Sequence, residues 1–198
     1  MLFRSTAANR FHVAEGVQDE FTEKLAAKLA DMPVGRGTED DVKVGPLIDQ
    51  PSREKVAELV EDAVSKGAEC VVGGEIPDGR GYFYPPTVLA DVPDDARLLK
   101  EEIFGPVAPI TTFKDEEEAI AKANDTEYGL VAYVYTNSMK RGIRVIEGLE
   151  TGMVGLNQGM VSNAGAPFGG VKQSGIGREG GFEGIEEFLE VKYVAVNV

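Results

Sequence analysis

Cysteine and histidine are nearly absent from this 198-residue chain, which has one of each, Cys70 and His12. A single cysteine excludes an intrachain disulfide and a cysteine metal cluster. His12 sits in the alternating run Phe11-His12-Val13 and has no second histidine with which to build a metal site. Cys70 lies in the apolar run Ala68-Glu69-Cys70-Val71-Val72 and is expected to be a small buried hydrophobe, not a reactive thiol. Positive charge is also scarce. Lys+Arg total 20 against 34 for Asp+Glu, a net charge of −14. Such a surface repels phosphate backbones and no basic stripe offsets it, so nucleic acid is excluded as a partner. No apolar run reaches the ~20 residues that span a bilayer, and the N-terminus has no signal-peptide core. The expectation is a cytoplasmic protein that does not engage membranes.

What is present is an ordinary globular composition, 42% hydrophobic, in a chain long enough for one sizeable core. No internal repeat, low-complexity linker or break in composition divides it. The acidic runs 38–41 and 114–118 read as solvated loops and a helix start.

Periodicity orders the elements. Residues 10–14 read as a short strand. From Val17 the apolar residues Phe21, Leu25, Leu29 and Met32 recur on one helical face until Pro33. A second helix follows Pro51-Ser52, with Ser52 as N-cap or Pro51 at its first position, and buries Val56, Leu59, Val60, Ala63 and Val64. Gly67 suits its C-terminal turn. Strands are expected at 68–72, after the prolines of Tyr84-Pro85-Pro86 (an edge strand or a strand start), at 107–113, 131–135 and 152–157. Helices are expected at 115–123, 138–149 and briefly near 182–188, with a Gly/Pro/Asp loop at 73–82 and a glycine-rich loop reaching about 180. Strands and helices alternating through short connections give an α/β fold with a largely parallel sheet flanked by helices. The β-branched tail 191–198 reads as a last strand.

The most informative stretch is Lys100-Glu101-Glu102-Ile103-Phe104-Gly105-Pro106-Val107. A polar loop meets a Gly-Pro corner and then a buried strand. Gly105 is expected to allow the tight bend and Pro106 to fix the next φ, so that Glu102 and Phe104 are held in place. By composition alone this is an acidic loop before a strand.

Glu101-Glu102-Ile103-Phe104-Gly105-Pro106-Val107 resembles a motif of the aldehyde dehydrogenase superfamily, and further motifs follow the family's order. They are Gly45-Pro46-Leu47-Ile48, Phe83-Tyr84-Pro85-Pro86-Thr87-Val88-Leu89, Asn124-Asp125-Thr126-Glu127-Tyr128-Gly129-Leu130 and Pro167-Phe168-Gly169-Gly170-Val171-Lys172-Gln173-Ser174-Gly175, closed by Gly177-Arg178-Glu179. Val161-Ser162-Asn163 and Glu187-Phe188-Leu189-Glu190-Val191-Lys192-Tyr193 are most similar to the succinate-semialdehyde members. The resemblance covers the C-terminal catalytic-domain portion of family enzymes, placing that domain at 1–190 and an oligomerisation strand at 191–198. It implies that Glu102 hydrogen-bonds the nicotinamide ribose and that Phe104 packs near the nicotinamide ring. It also implies that Phe168 lines the aldehyde tunnel and that Ser162 binds a distal carboxylate. Without it, Ser162 reads as a loop hydroxyl capping its own backbone.

Family chemistry uses a thiolate that attacks the aldehyde, hydride transfer to the nicotinamide, and hydrolysis of the resulting thioester. The cysteine for it is missing here. Read without gaps, Ser5 occupies its place before Thr6-Ala7-Ala8-Asn9-Arg10-Phe11. A second reading aligns Phe3-Arg4-Ser5-Thr6 with a Phe-Arg-Asn-Thr segment several residues upstream of the cysteine and makes the cysteine part of a small deletion. Arg4 then matches the arginine that grips the substrate carboxylate. A start-site artefact is a third reading. The glutamate base and the Rossmann-like domain are also missing, and no G-x-G-x-x-G opens a helix after a strand. The resemblance therefore implies NAD or NADP and a small aldehyde in the full-length enzyme. This chain alone is expected to be inactive and to bind neither cofactor. Its expected associations are with further copies of itself or with a separate N-terminal portion. The rival readings are a non-catalytic homologue with an assembly role and an enzyme for another semialdehyde.

Overall fold

The computed structural model of the chain describes residues 5–198. They divide into two compact units, residues 8–119 and residues 120–198, the latter joined by the residues through Ala7. No shift in composition marks this division.

The first unit is a four-stranded sheet with a helix on each face. Its strands are β1 (Phe11–Ala14), β2 (Glu69–Val72), β3 (Thr87–Ala90) and β4 (Val107–Phe113), in spatial order β1-β4-β3-β2. β4 pairs in parallel with β1 and β3, and β2 closes the edge antiparallel to β3. The apolar run 107–110 and Thr111 after it are all buried, as a parallel strand covered on both faces requires. All four residues of β3 are buried too. Pro85 and Pro86 thus mark a strand start in the sheet interior and not an edge. The buried Thr87 hydroxyl is satisfied, accepting from the Gly74 N–H (2.9 Å) and donating to the Pro85 carbonyl (3.0 Å).

Successive residues of β3 and β4 point to opposite faces. Leu89 and Val107 join Val56, Leu59, Val60 and Ala63 of α2 (Gln50–Ser65) and the buried Tyr84, Leu98 and Ile103. Val88, Ala108 and Ile110 pack with Val13 and with Ala26 of α1 (Gln18–Ala30). Leu25 and Leu29 only flank this second cluster, and Phe21 is exposed. The α1 residues buried deepest are Thr22 and Ala26.

Two local expectations change. The N-cap of α2 is Asp49, whose carboxylate accepts from the Ser52 N–H at 2.8 Å, with Pro51 inside the first turn. Cys70 is exposed, not buried. Its strand is the sheet edge, where Glu69, Cys70 and Val71 are all exposed. Its sulfur faces the carbonyls of Val72 and Gly73 (3.7 and 3.6 Å). Partial burial, then Glu75, pushes the thiol's pKa up, away from thiolate reactivity.

α3 (Glu116–Asn124) leads into the second unit. There β6 (Val131–Val134), α4 (Met139–Gly148) and β7 (Met153–Leu156) form a strand-helix-strand crossover with parallel strands. β5 (Tyr128–Gly129) and β8 (Val171–Lys172) form a short antiparallel pair. Asn124 ties α3 to the end of α4, donating to the Gly148 carbonyl and accepting from the Glu150 N–H, each at 2.8 Å. Lys172 closes the same corner on the carbonyls of Asn124 and Thr126 (2.9 and 3.2 Å). The helix near 182–188 is a 3-10 segment, Glu183–Phe188. Residues 189–198 are exposed and carry no strand.

Candidate active site

In the first unit, a corner at residues 97–107 is held from three sides. Leu98, Leu99 and Ile103 anchor it in the core. The Arg97 N–H donates to Asp62 of α2 at 2.9 Å, and the Arg97 guanidinium pairs with Glu101. Lys55 Nζ donates to the Glu102 carbonyl at 2.7 Å. Between these anchors Glu102 is half-buried, while Phe104 is 61% exposed.

The bend is made differently from the sequence expectation. Phe104, not Gly105, has the left-handed conformation, with φ +50°, which costs a β-carbon-bearing residue on the order of 1 kcal/mol. Gly105 is required for contact, because a β-carbon there would lie 2.6 Å from Val56 Cγ2. Loop and helix thus meet closely at Gly105, and the Phe104 side chain next to it is exposed.

The Glu102 carboxyl shows the chemistry of the corner. Its Oε2 is buried and has no hydrogen-bond partner among the described residues. Burial raises its pKa from 4.5 to about 7, with Lys55 opposing the shift. A carboxyl placed this way keeps an acceptor that the described residues leave unmet.

The second unit holds Ser5, Ser162 and Phe168. The Ser5 hydroxyl accepts from the Ala7 N–H at 3.2 Å. The next carbonyl, of Thr6, accepts from the Tyr133 hydroxyl at 2.9 Å. The Tyr133 ring lies over Gly155, where a β-carbon would come within 2.9 Å of it. Ser162 is exposed, and Asn163, not Ser162, caps this loop by accepting from the Gly165 N–H at 2.9 Å. Phe168 pairs its backbone with Glu179 (2.6 and 2.7 Å). With Tyr128, Arg178 and Glu187 it lines an open hollow of about 690 Å³. Gly152 brings β7 against this loop, since a β-carbon there would lie 2.0 Å from the Gly169 carbonyl. Arg4 lies outside the described residues.

A model of the aldehyde dehydrogenase family matches residues 4–194. The chain belongs to that family. The succinate-semialdehyde dehydrogenase of Paenarthrobacter nicotinovorans is 56% identical over 191 residues, which is 96% of this chain and 42% of that protein. The glutarate-semialdehyde dehydrogenase of Pseudomonas putida is 53% identical, over 96% of this chain and 39% of its own length. Among solved structures, succinate-semialdehyde dehydrogenase from Burkholderia pseudomallei superposes with a TM-score of 0.93 at 49% identity, covering 96% of this chain and 40% of that one. This aldehyde dehydrogenase chain thus spans about two fifths of the length of the relatives it matches.

The α/β architecture with mostly parallel strands is the one the family resemblance implies. Among the described residues no helix is long and apolar enough to cross a membrane. Sequence reasoning assigned no role to Lys55, Asn9 or Tyr133. Lys55 looks like any helix-surface lysine. Asn9 lies within a recognised motif but carries no signal of its partners, which are about 90 residues away.

Proposed function

We propose that this chain is the C-terminal catalytic-domain portion of an NAD(P)-dependent semialdehyde dehydrogenase of the succinate-semialdehyde type. The observation that carries the reading is the Glu102 corner, a held backbone carrying a carboxyl oxygen that is buried and has no hydrogen-bond partner among the described residues. In this reading Glu102 accepts from the nicotinamide ribose and Phe104 packs by the ring. The cofactor supplies the hydride acceptor when bound. Phe168 walls the aldehyde's approach. Ser162, exposed and without a capping role, offers a hydroxyl to the substrate's distal carboxylate. That carboxylate loses water on entering an apolar passage and needs charge-assisted bonds of roughly 1.5–3 kcal/mol each. One neutral hydroxyl does not meet this alone, and in the deletion alignment Arg4 adds the charge. The oxidised aldehyde is small and the compartment cytoplasmic.

The test joins residues 6–198 to the N-terminal portion of the Paenarthrobacter relative through its cysteine. The expected result is aldehyde-dependent reduction of NAD or NADP, with a higher cofactor KM after Glu102→Gln. Ser162→Ala in this chimera should raise KM for succinate semialdehyde and leave that for an uncharged aldehyde of similar length nearly unchanged. A folded chimera without turnover would sink the reading. Equal losses for both aldehydes would mean that Ser162 shapes the loop without reading the carboxylate.

A second reading, a non-catalytic homologue with an assembly role, is favoured by Ser5 standing where the ungapped alignment needs a thiol. A serine hydroxyl is a far poorer nucleophile than a thiolate at neutral pH. Under both readings the chain alone turns nothing over, and Ser5→Cys does not restore activity. The glutarate-semialdehyde relative makes a longer semialdehyde the alternative substrate.

A further inference from the structure

We infer that Asn9 is the residue that positions Glu102. Its carboxamide Oδ1 accepts from the Ile103 N–H at 2.9 Å, and its Nδ2 donates to the carbonyls of Glu101 (3.3 Å) and Leu98 (3.4 Å). The Glu101 carbonyl and the Ile103 N–H belong to the two peptide groups flanking the Glu102 Cα. One planar side chain therefore sets both peptide planes, and with them the direction in which the Glu102 side chain leaves the backbone. The orientation of the amide is unambiguous, because an N–H only donates and carbonyls only accept. Lys55 completes the grip from α2 on the Glu102 carbonyl. The 102–103 peptide group is thus bound at its oxygen by Lys55 and at its nitrogen by Asn9.

No other described side chain bonds both flanking peptide groups, and the Glu102 Oε2 itself has no hydrogen-bond partner among the described residues. The carboxyl's aim therefore comes from its backbone and not from a second-residue contact. Asn9 stands four residues after Ser5, so the segment that follows the nucleophile position also orders the carboxyl assigned to the cofactor. The significance of the inference for catalysis rests on the proposed reading of Glu102, but the geometry does not. The charged groups at the corner include Lys55, from α2, the Arg97–Glu101 pair and Lys100.

The test uses this chain without cofactor. Carboxyl ¹³C NMR, with the Glu102 signal assigned through Glu102→Gln, follows its titration in wild type, Asn9→Ala and Asn9→Ser. Both substitutions should lower the Glu102 midpoint by about one pH unit or more, because a freed loop lets the carboxyl reach water. The Ile103 amide should exchange roughly tenfold faster or more. Asp49, at the start of α2, should keep its midpoint, which a general loss of structure would not allow. An unchanged Glu102 midpoint in a folded variant overturns the inference. If neither variant folds, wild-type Asn9 carboxamide protons that exchange as fast as those of an exposed asparagine overturn it as well. A Glu102 that responds to Asn9 but whose loss leaves cofactor KM unchanged in the chimera would remove the functional reading and leave this inference standing.

Discussion

At Glu102 burial outweighs the nearby lysine, so the folded state holds a proton more tightly than the unfolded chain does. The sign of its effect on stability follows. A carboxyl raised from 4.5 to about 7 favours the folded state most below pH 4.5, and that contribution is lost as pH climbs to about 7. Asp49 and Asp62 act the other way. Their pKa values are lowered, chiefly by hydrogen bonds from Ser52 and from the Arg97 N–H, so they stabilise above 3.8 and lose that effect on acidification. Urea unfolding of wild type and Glu102→Gln from pH 4.5 to 7.5 should therefore diverge, with wild type losing stability relative to the variant as pH rises. Parallel curves would mean that Glu102 titrates as an ordinary exposed acid. The next two residues make a paired prediction. Gly105→Ala should cost about 1–3 kcal/mol by overpacking against Val56. Phe104→Gly should stay within about 1 kcal/mol of wild type, because relief of the left-handed backbone offsets the added freedom of the unfolded chain. Equal losses for the two would place the constraint somewhere other than the Val56 contact.

For α2 the prediction concerns its start. Asp49 caps the helix and Ser52 supplies the donor. Asp49→Ala should cost about 1 kcal/mol, and Ser52→Ala, which keeps the backbone N–H, should cost less. A thermal unfolding series that reversed this order would restore Ser52 as the cap. The stakes extend beyond the helix, because α2 carries both Lys55 and Val56, which hold the Glu102 corner. The β6-α4-β7 crossover serves the second unit in the same way. β6 carries Tyr133, which holds the Thr6 carbonyl, and β7 follows Gly152, which admits the Phe168 loop.

At the scale of the molecule, the described residues leave the C-terminal segment uncovered. Val191 is 100% exposed and Tyr193 89%, and among the described residues no strand pairs with residues 189–198. Apolar, β-prone backbone with open hydrogen-bonding groups either finds a partner or frays. Light scattering should show species larger than a monomer, or hydrogen exchange should show unprotected amides at 193–198. A monodisperse monomer with protected amides there would contradict both. Calorimetric titration of the chain with NAD or NADP should show no binding in the micromolar range. Glu102 and Phe104 account for only the nicotinamide end of the cofactor, and two contacts do not offset the entropy of ordering a dinucleotide.

The sequence by itself determined the elements and the family. The strand expected at 107–113 is Val107–Phe113 and the helix at 138–149 is Met139–Gly148, because apolar periodicity, caps and glycines act between residues a few positions apart. Its ordered motifs named the family, and they singled out Glu102 for a role it retains as a proposal. Tertiary structure decided the rest. It set β2 at the sheet edge and so exposed Cys70, moved the strained backbone from Gly105 to Phe104, and raised the Glu102 pKa through burial. It also joined Asn9 to Ile103 across 94 residues of chain. Such a pairing depends on which surfaces the sheet and helices bring together, and no local pattern in the chain encodes it.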